Sequence, residues 1–145
     1  MSGEPGATTR FENVCRNAGM ALASCEGYFV HRMSFDIVNG CDALEIGLRR
    51  GPEWPDVTIS LESLYHLSIS KPPESSSCFV DEISVLYLPK PPRPWPDGVV
   101  VRRHRGLPEL AVLRLVGPME IKVVASILTV FTAMSDDRAA AGPMA

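Results

Sequence analysis

Apolar and polar residues alternate along the chain from Met33 onward. Phe35 and Ile37 alternate with polar neighbours, and a second alternating run over residues 44–48 follows Asn39-Gly40. A period of two places successive side chains on opposite faces of a strand. Asn-Gly between two such runs is typical of a hairpin, because both turn residues tolerate positive φ. The pattern therefore predicts two antiparallel strands joined near residues 39–40.

The clearest alternation lies between Val57 and Ser70, where only Leu64 is out of place. One face carries Val57, Ile59, Leu61, Tyr65, Leu67 and Ile69, and the other carries Thr58, Ser60, Glu62, His66, Ser68 and Ser70. One apolar and one polar face indicate a half-buried antiparallel strand with a wet outer side. Since Ser63 interrupts the apolar face, we expect a bulge or bend there.

Further strands are predicted downstream over 79–88, 99–101, 110–116 and 119–132. The last of these is apolar on both faces, which indicates a central or sandwiched position. The stretch Pro89–Pro96 contains five prolines and should run as extended polyproline II rather than join a sheet. The fold class is therefore mainly β, or a β-rich α+β fold. It consists of about six or seven antiparallel strands in a curled sheet or a sandwich.

The chain before Met33 has no clear period. A short helix from about Thr9 to Cys25 is consistent with Thr9 as the N-cap and Glu12 three residues later. The expected organisation is a partly disordered N-terminal extension over 1–32, a single β-rich domain over 33–134, and a disordered tail over 135–145. The abrupt start of the pattern leaves open that Met33 is the true first residue.

Charge and composition narrow the classes of function. The chain has 145 residues and a net charge of −3, which argues against nucleic-acid binding. It has no run of 18 apolar residues, so we expect no membrane span. Leu22-Ala23-Ser24-Cys25 resembles a lipoprotein cleavage box but lacks the apolar stretch that export requires. The four cysteines have no C-x-x-C spacing, so we expect free, partly buried thiols and a cytoplasmic location.

Residue types used in catalysis occur on the polar face of the third strand, at Ser60, Glu62, His66 and Ser68. Residues two apart on one face lie about 6.5–7 Å apart at the backbone. A working triad needs hydrogen bonds of about 2.6–3.2 Å, and a flat exposed strand offers no pocket. The common hydrolase, nucleotide and metal motifs are also missing from the sequence. We therefore expect a protein that is not an enzyme and has no cofactor and no metal.

The segment from Lys90 to Arg105 concentrates positive charge. It holds five cations against the single acid Asp97, a local charge of +4 in a chain of −3. Arginine beside an exposed tryptophan is enriched at binding hot spots. The predicted partner-binding residues are Arg93, Trp95, Arg102, Arg103 and Arg105, facing an acidic protein surface. Alternatively, the charges keep the apolar run 99–101 from pairing with other chains, or the P-x-x-P pattern docks in an aromatic groove.

The alternating strands, the Lys90–Pro96 stretch and the closing Leu113–Pro118 stretch resemble small β-rich immunity proteins of bacterial polymorphic toxin systems. This resemblance implies a cytoplasmic protein that binds another protein and blocks it. It implies no particular site residues. Two classes of function remain open. One is a non-catalytic protein-binding module, which the resemblance implies is an immunity-type inhibitor of a toxin. The other is a small-ligand-binding protein or an enzyme with an unfamiliar loop-built site. The sequence leaves the oligomeric state open.

Overall fold

A computed structural model describes residues 8–38, 40–71 and 79–134 of the chain. The predicted tail over 135–145, the first seven residues, Asn39 of the predicted hairpin turn and residues 72–78 lie outside these residues. The elements are helix α1 (Arg10–Leu22), a short 3₁₀ helix (Ala23–Cys25), and strands β1 (Phe29–Val38), β2 (Cys41–Arg49), β3 (Asp56–Ser70), β4 (Glu82–Leu88), β5 (Leu110–Val116) and β6 (Glu120–Ala133).

The six strands form one antiparallel sheet in the order β1-β2-β3-β6-β5-β4. The mainly β class is confirmed, and the structure has a single sheet rather than a sandwich. β6 lies between β3 and β5, the central position that its two apolar faces predicted. Val123 and Val124, adjacent in β6, belong to different apolar clusters, and both are fully buried.

Helix α1 packs on one face of the sheet, against β4 and β6. The side chain of Thr9 caps it, because its Oγ1 accepts a hydrogen bond from the backbone N–H of Glu12 at 3.0 Å. The predicted helix and its N-cap are therefore confirmed. Cys15, Ala18 and Leu22 point into the main core, so the helix covers apolar side chains of the sheet that would otherwise face water.

A bend in the middle of β3 changes which residues reach the core. Ser63 has a φ of 56°, and the pairing with β6 shifts register between Leu64 and His66. Leu64 consequently packs against the core, whereas Tyr65 is 43% exposed. The predicted irregularity at Ser63 is confirmed, but the assignment of Tyr65 and Ile69 to the buried face is wrong, since Ile69 is also exposed. The parity of the inward side chains changes between Leu61 and Leu64, and the additional residue before His66 changes it back, so Leu67 again packs against the core.

β1 begins at Phe29, upstream of the alternation that starts at Met33. The register with β2 shifts between Val30 and Arg32, so the parity of apolar residues changes there and hides the first part of the strand. The N-terminal end of β1 also reaches the segment before β4. The N–H of Val80 donates to Tyr28 O at 2.8 Å, and Gly27 N–H donates to Val80 O at 3.0 Å.

These contacts join opposite corners of the sheet. β1 starts at the sheet end where β3 starts, while β4 starts at the other end. An isolated bridge between Phe29 and Phe79 lies beside the Tyr28–Val80 bond. Strong twist brings such corners together, so the sheet is curled. None of the helices in the described part of the chain is long and apolar enough to cross a membrane.

Residues 89–109 connect β4 to β5 and are called the strap. The strap lies on the outer face of the sheet, opposite α1. A second apolar cluster forms there from Leu88, Leu107, Leu110 and Val124, with Trp95, Val99, Val101 and Val112 packed against it. The strap thus covers part of a face that would otherwise be wet.

Two expectations about the strap are wrong. Residues 99–101 form no strand, because Val99 and Val101 pack down onto the second cluster rather than pairing with a neighbouring strand. The proline stretch does not run straight as polyproline II. The N–H of Arg93 donates to Lys90 O at 3.2 Å and closes a turn.

Candidate functional site

The strap is anchored by Trp95. Its indole Nε1 donates a hydrogen bond to the carbonyl of Pro89 at 2.7 Å, and its half-buried ring packs against the second cluster. Buried tryptophans usually find such a partner for the indole N–H. Trp95 therefore fixes the strap to the end of β4, and only part of its ring faces solvent.

Arg103 is held inside the strap. Its Cζ lies 5.2 Å from the centroid of the Trp95 ring, which is a cation–π contact. The same guanidinium donates to the carbonyl of Arg93. Arg103 therefore joins the two halves of the strap across ten residues of sequence. Of the five residues predicted to bind a partner, Trp95 and Arg103 make contacts within the strap itself.

The other three predicted residues face solvent. Arg93, Arg102 and Arg105 are all exposed, and none of them forms an ion pair with an acid in the described part of the chain. They lie on a segment whose backbone is fixed by Trp95, by Arg103 and by the second apolar cluster. The strap is thus an ordered segment that presents three guanidinium groups to solvent.

A cavity of about 310 Å³ lies between the strap and the outer face of β4, β5 and β6. Its lining includes two rows of directly opposed residues. The first row is Leu86, Val112 and Val124, and the second is Ser84, Arg114 and Lys122. From the strap, Asp97, Gly98, Val99 and Val100 complete the lining. An apolar surface therefore lies next to a line of hydrogen-bond donors.

The second row brings two cations together. Arg114 in β5 and Lys122 in β6 are directly opposed in the register. Arg114 forms an ion pair with Glu120, its Nη2 lying 3.2 Å from the Oε2 atom. Lys122 is half-buried and makes no ion pair or side-chain hydrogen bond with any residue that the structure describes. Like charges in direct opposition destabilise a sheet, and the ion pair of Arg114 with Glu120 offsets part of this repulsion.

Sequence reasoning missed this cavity. Arg114 and Lys122 are eight residues apart and belong to different strands, and each is typical of a solvated strand face when taken alone. The signal that could have shown their proximity is the turn at Gly117-Pro118, since a hairpin centred on Pro118 sets Arg114 opposite Lys122. No such pattern indicated that the strap closes the cavity, because the sequence of residues 99–101 resembles that of a strand.

The residue types of catalysis on β3 do not form a connected site. In the described part of the chain, no hydrogen bond joins any two of Ser60, Glu62, His66 and Ser68. The bend at Ser63 separates the first two from the last two. Over the same residues, no group of three or more His, Cys, Asp or Glu side chains could hold a metal ion.

Two cysteines beneath the helix are free and buried, Cys15 in α1 and Cys25 in the 3₁₀ helix. Burial raises the pKa of the Cys15 thiol from its ordinary 9.0 to about 12, with further contributions from Glu109 and Glu12. Burial alone raises the pKa of Cys25 to about 11. Because the thiolate is the reactive form, both groups are inert packing residues at neutral pH.

No model of a known protein family matches the chain, and no curated protein is significantly similar to it. Two features of the molecule bear on its function. One is the outer surface of the strap with its free arginines. The other is the cavity beneath it.

Proposed function

We propose that this protein is a non-catalytic binding protein that captures an acidic surface of another protein through the outer surface of the strap. One observation carries the proposal: Arg93, Arg102 and Arg105 are exposed, form no ion pair with any acid that the structure describes, and lie on a backbone segment that is held in place by its own packing. Arginine is enriched at protein hot spots, because its planar group binds carboxylates in pairs of hydrogen bonds.

The order of the strap supports the proposal. A binding segment that is already fixed loses little conformational entropy when the partner arrives. The three guanidinium groups also stand in a chain whose net charge is −3. A local positive field on a weakly negative protein steers an acidic partner toward that surface. The alternative function of these charges, keeping an apolar strand from pairing with other chains, loses its basis, because residues 99–101 are not a strand.

In the form that the sequence resemblance implies, the partner is a toxin and binding blocks its activity. Expression of a toxin encoded by a neighbouring gene, with and without this protein, tests that form. Growth restored by the wild-type chain supports it. Growth that is restored equally by a variant with Arg93, Arg102 and Arg105 replaced by glutamate counts against capture through the strap.

The general proposal is tested by affinity capture followed by binding of the purified partner. The strap variant combines Arg93→Glu, Arg102→Glu and Arg105→Glu. A matched control combines Arg10→Glu, Arg16→Glu and Lys71→Glu, three exposed cations elsewhere that give the same change in charge.

We expect a partner that binds the wild type and the control, weakens with rising salt, and is lost from the strap variant. Circular dichroism should show that all three chains are folded. Equal binding by the strap variant and the control would overturn the proposal, as would the absence of any salt-sensitive partner.

A further inference from the structure

We propose that the cavity beneath the strap binds a small amphipathic carboxylate. Its apolar body lies on the row of Leu86, Val112 and Val124, and its carboxylate meets Lys122 and Arg114. This site goes beyond the capture of a partner protein, since it lies under the strap rather than on its outer surface. It does not depend on the three exposed arginines.

The shape of the cavity favours an amphipathic ligand. Its floor has an apolar row beside a row of donors, and Val99 and Val100 of the strap close it from above. Ligand pockets are mostly apolar with a few polar groups that fix orientation. A volume of about 310 Å³ is at the lower end of such pockets. At about 30 Å³ for each water-sized group, it holds roughly ten of them.

The charges of the lining favour a carboxylate head group. Lys122 has no partner among the described residues and is half-buried opposite Arg114. An anion placed between the two removes their repulsion and gains charge-assisted hydrogen bonds. Glu120 neutralises only Arg114, so it leaves the charge of Lys122 available. Asp97, on the strap side of the lining, repels an anion and so directs the head group toward the cationic row.

Two hydroxyl groups extend the donor row. Ser84, opposed to Arg114 on β4, lines the cavity, whereas Ser68, opposed to Lys122 on β3, continues the row outside the lining. The four residues form one line across four strands, with a cation at each of the two central positions. Hydroxyl, ammonium and guanidinium groups all donate hydrogen bonds, which the oxygen atoms of a carboxylate accept and an apolar group does not. The row is therefore suited to the polar end of the ligand.

The probe for the test is octanoate, which has ten non-hydrogen atoms, and the measurement is titration calorimetry of the full chain. Acetate, which lacks the apolar body, and 1-octanol, which lacks the charge, are the matched probes. We expect octanoate to bind at least about tenfold more tightly than either. Failure of octanoate to bind the wild type would overturn the proposal, and so would equal binding of all three.

Substitutions test whether octanoate binds in this cavity. Lys122→Gln should weaken octanoate binding about tenfold, since a hydrogen bond to a charged group is lost. Lys90→Gln, which removes an exposed lysine of the strap outside the cavity lining, should leave it unchanged. Methyl resonances of Val112 and Val124 should shift on addition of octanoate. A folded Lys122→Gln chain that binds octanoate as the wild type does would overturn the proposal.

The test separates this site from partner capture. The chain with Arg93→Glu, Arg102→Glu and Arg105→Glu should bind octanoate normally, because those side chains are not part of the lining. Conversely, Lys122→Gln should leave partner capture intact. Loss of octanoate binding in the strap triple variant, with the fold preserved, would contradict the assignment of the ligand to the cavity.

Discussion

The guanidinium of Arg103 lies over the ring of Trp95, with 5.2 Å between Cζ and the ring centroid. Both residues belong to the strap, and each also binds a backbone carbonyl of the strap, Arg103 that of Arg93 and Trp95 that of Pro89. The two side chains therefore stabilise the loop that carries the exposed arginines. Arginine beside tryptophan, a combination that predicts a binding hot spot in the sequence, thus forms contacts within the strap itself.

Arg103→Ala should loosen the strap without unfolding the sheet. The change removes a cation–π contact and a hydrogen bond from a charged donor, together about 1 kcal/mol of unfolding free energy at an exposed site. In a Trp54→Phe background, the fluorescence of Trp95 should shift to longer wavelength as its ring gains water. Arg105→Ala is the control and should change neither quantity. An unshifted emission maximum in the Arg103→Ala chain would contradict the contact.

Thr9→Ala should destabilise the protein by about 1–2 kcal/mol. Thr9 Oγ1 accepts the N–H of Glu12 as an N-cap and donates to Glu109 Oε2 at 2.5 Å. The hydroxyl of Tyr87 donates to the same carboxylate oxygen, so the change also removes a partner from this group. Urea unfolding measures the effect. Thr8→Ala, at the exposed neighbouring threonine, should be neutral, and equal losses in the two variants would refute the cap.

Stability should fall as the pH rises above about 9. The pKa values of Cys15 and Cys25 are raised by burial to about 12 and about 11, against 9.0 when unfolded. Between these values the unfolded chain loses thiol protons that the folded chain keeps, so unfolding becomes more favourable. Burial also raises the pKa of Tyr28 and Tyr87, which continues the decline at higher pH.

Urea titrations at pH 7.5, 9 and 10 measure this decline. A chain with Cys15→Ala and Cys25→Ala is less stable at pH 7.5 because it loses packing. Its free energy of unfolding should nevertheless fall less steeply with pH. Parallel curves for the variant and the wild type would show that these thiols do not titrate differently on folding.

Ser63→Val should cost about 1–2 kcal/mol, whereas Ser63→Gly should be neutral within about 0.5 kcal/mol. Ser63 has a φ of 56°, a left-handed conformation that is costly for branched residues and free for glycine. Ser60 lies on the same strand and has no positive φ. Ser60→Val is therefore the control, and it should be tolerated because valine favours strands. A Ser63→Val chain as stable as Ser60→Val would contradict the bend.

Lys122→Glu should stabilise the unliganded protein by about 0.5–1 kcal/mol. The change converts a directly opposed pair of like charges, Arg114 and Lys122, into a pair of opposite charges. Thermal and urea unfolding measure the gain, and Lys90→Glu is the control for net charge. If the wild type is the more stable chain, the two cations do not repel each other as the register implies.

The sequence predicted most of the sheet because the alternation that indicates a strand is a local pattern. The alternation in β3 indicated which residues lie on each of its two faces. The apolar residues on both faces of β6 indicated its central position in the sheet. The helix was predictable for the same reason, since Thr9 and Glu12 are three residues apart. Each of these inferences uses neighbours within one turn or one strand.

The strap and the cavity depend on contacts between distant residues. Val99 and Val101 have the composition of a strand, and only the apolar cluster beneath them makes a loop more favourable. The sequence predicted that Trp95 and Arg103 bind a partner, because it could not distinguish contact with a partner from the contact that the two residues make with each other. The sequence did not indicate Lys122 as a binding residue, because only the fold sets Arg114 opposite to it and covers both with the strap.

The irregularity in β1 has a consequence for self-association. β1 is an edge strand, and an edge with free backbone groups can template the addition of strands from other chains. The register shift between Val30 and Arg32 interrupts that row of groups, and the bridge between Phe29 and Phe79 occupies its first residue. The feature that hides the start of β1 in the sequence therefore also hinders the growth of fibres from this edge.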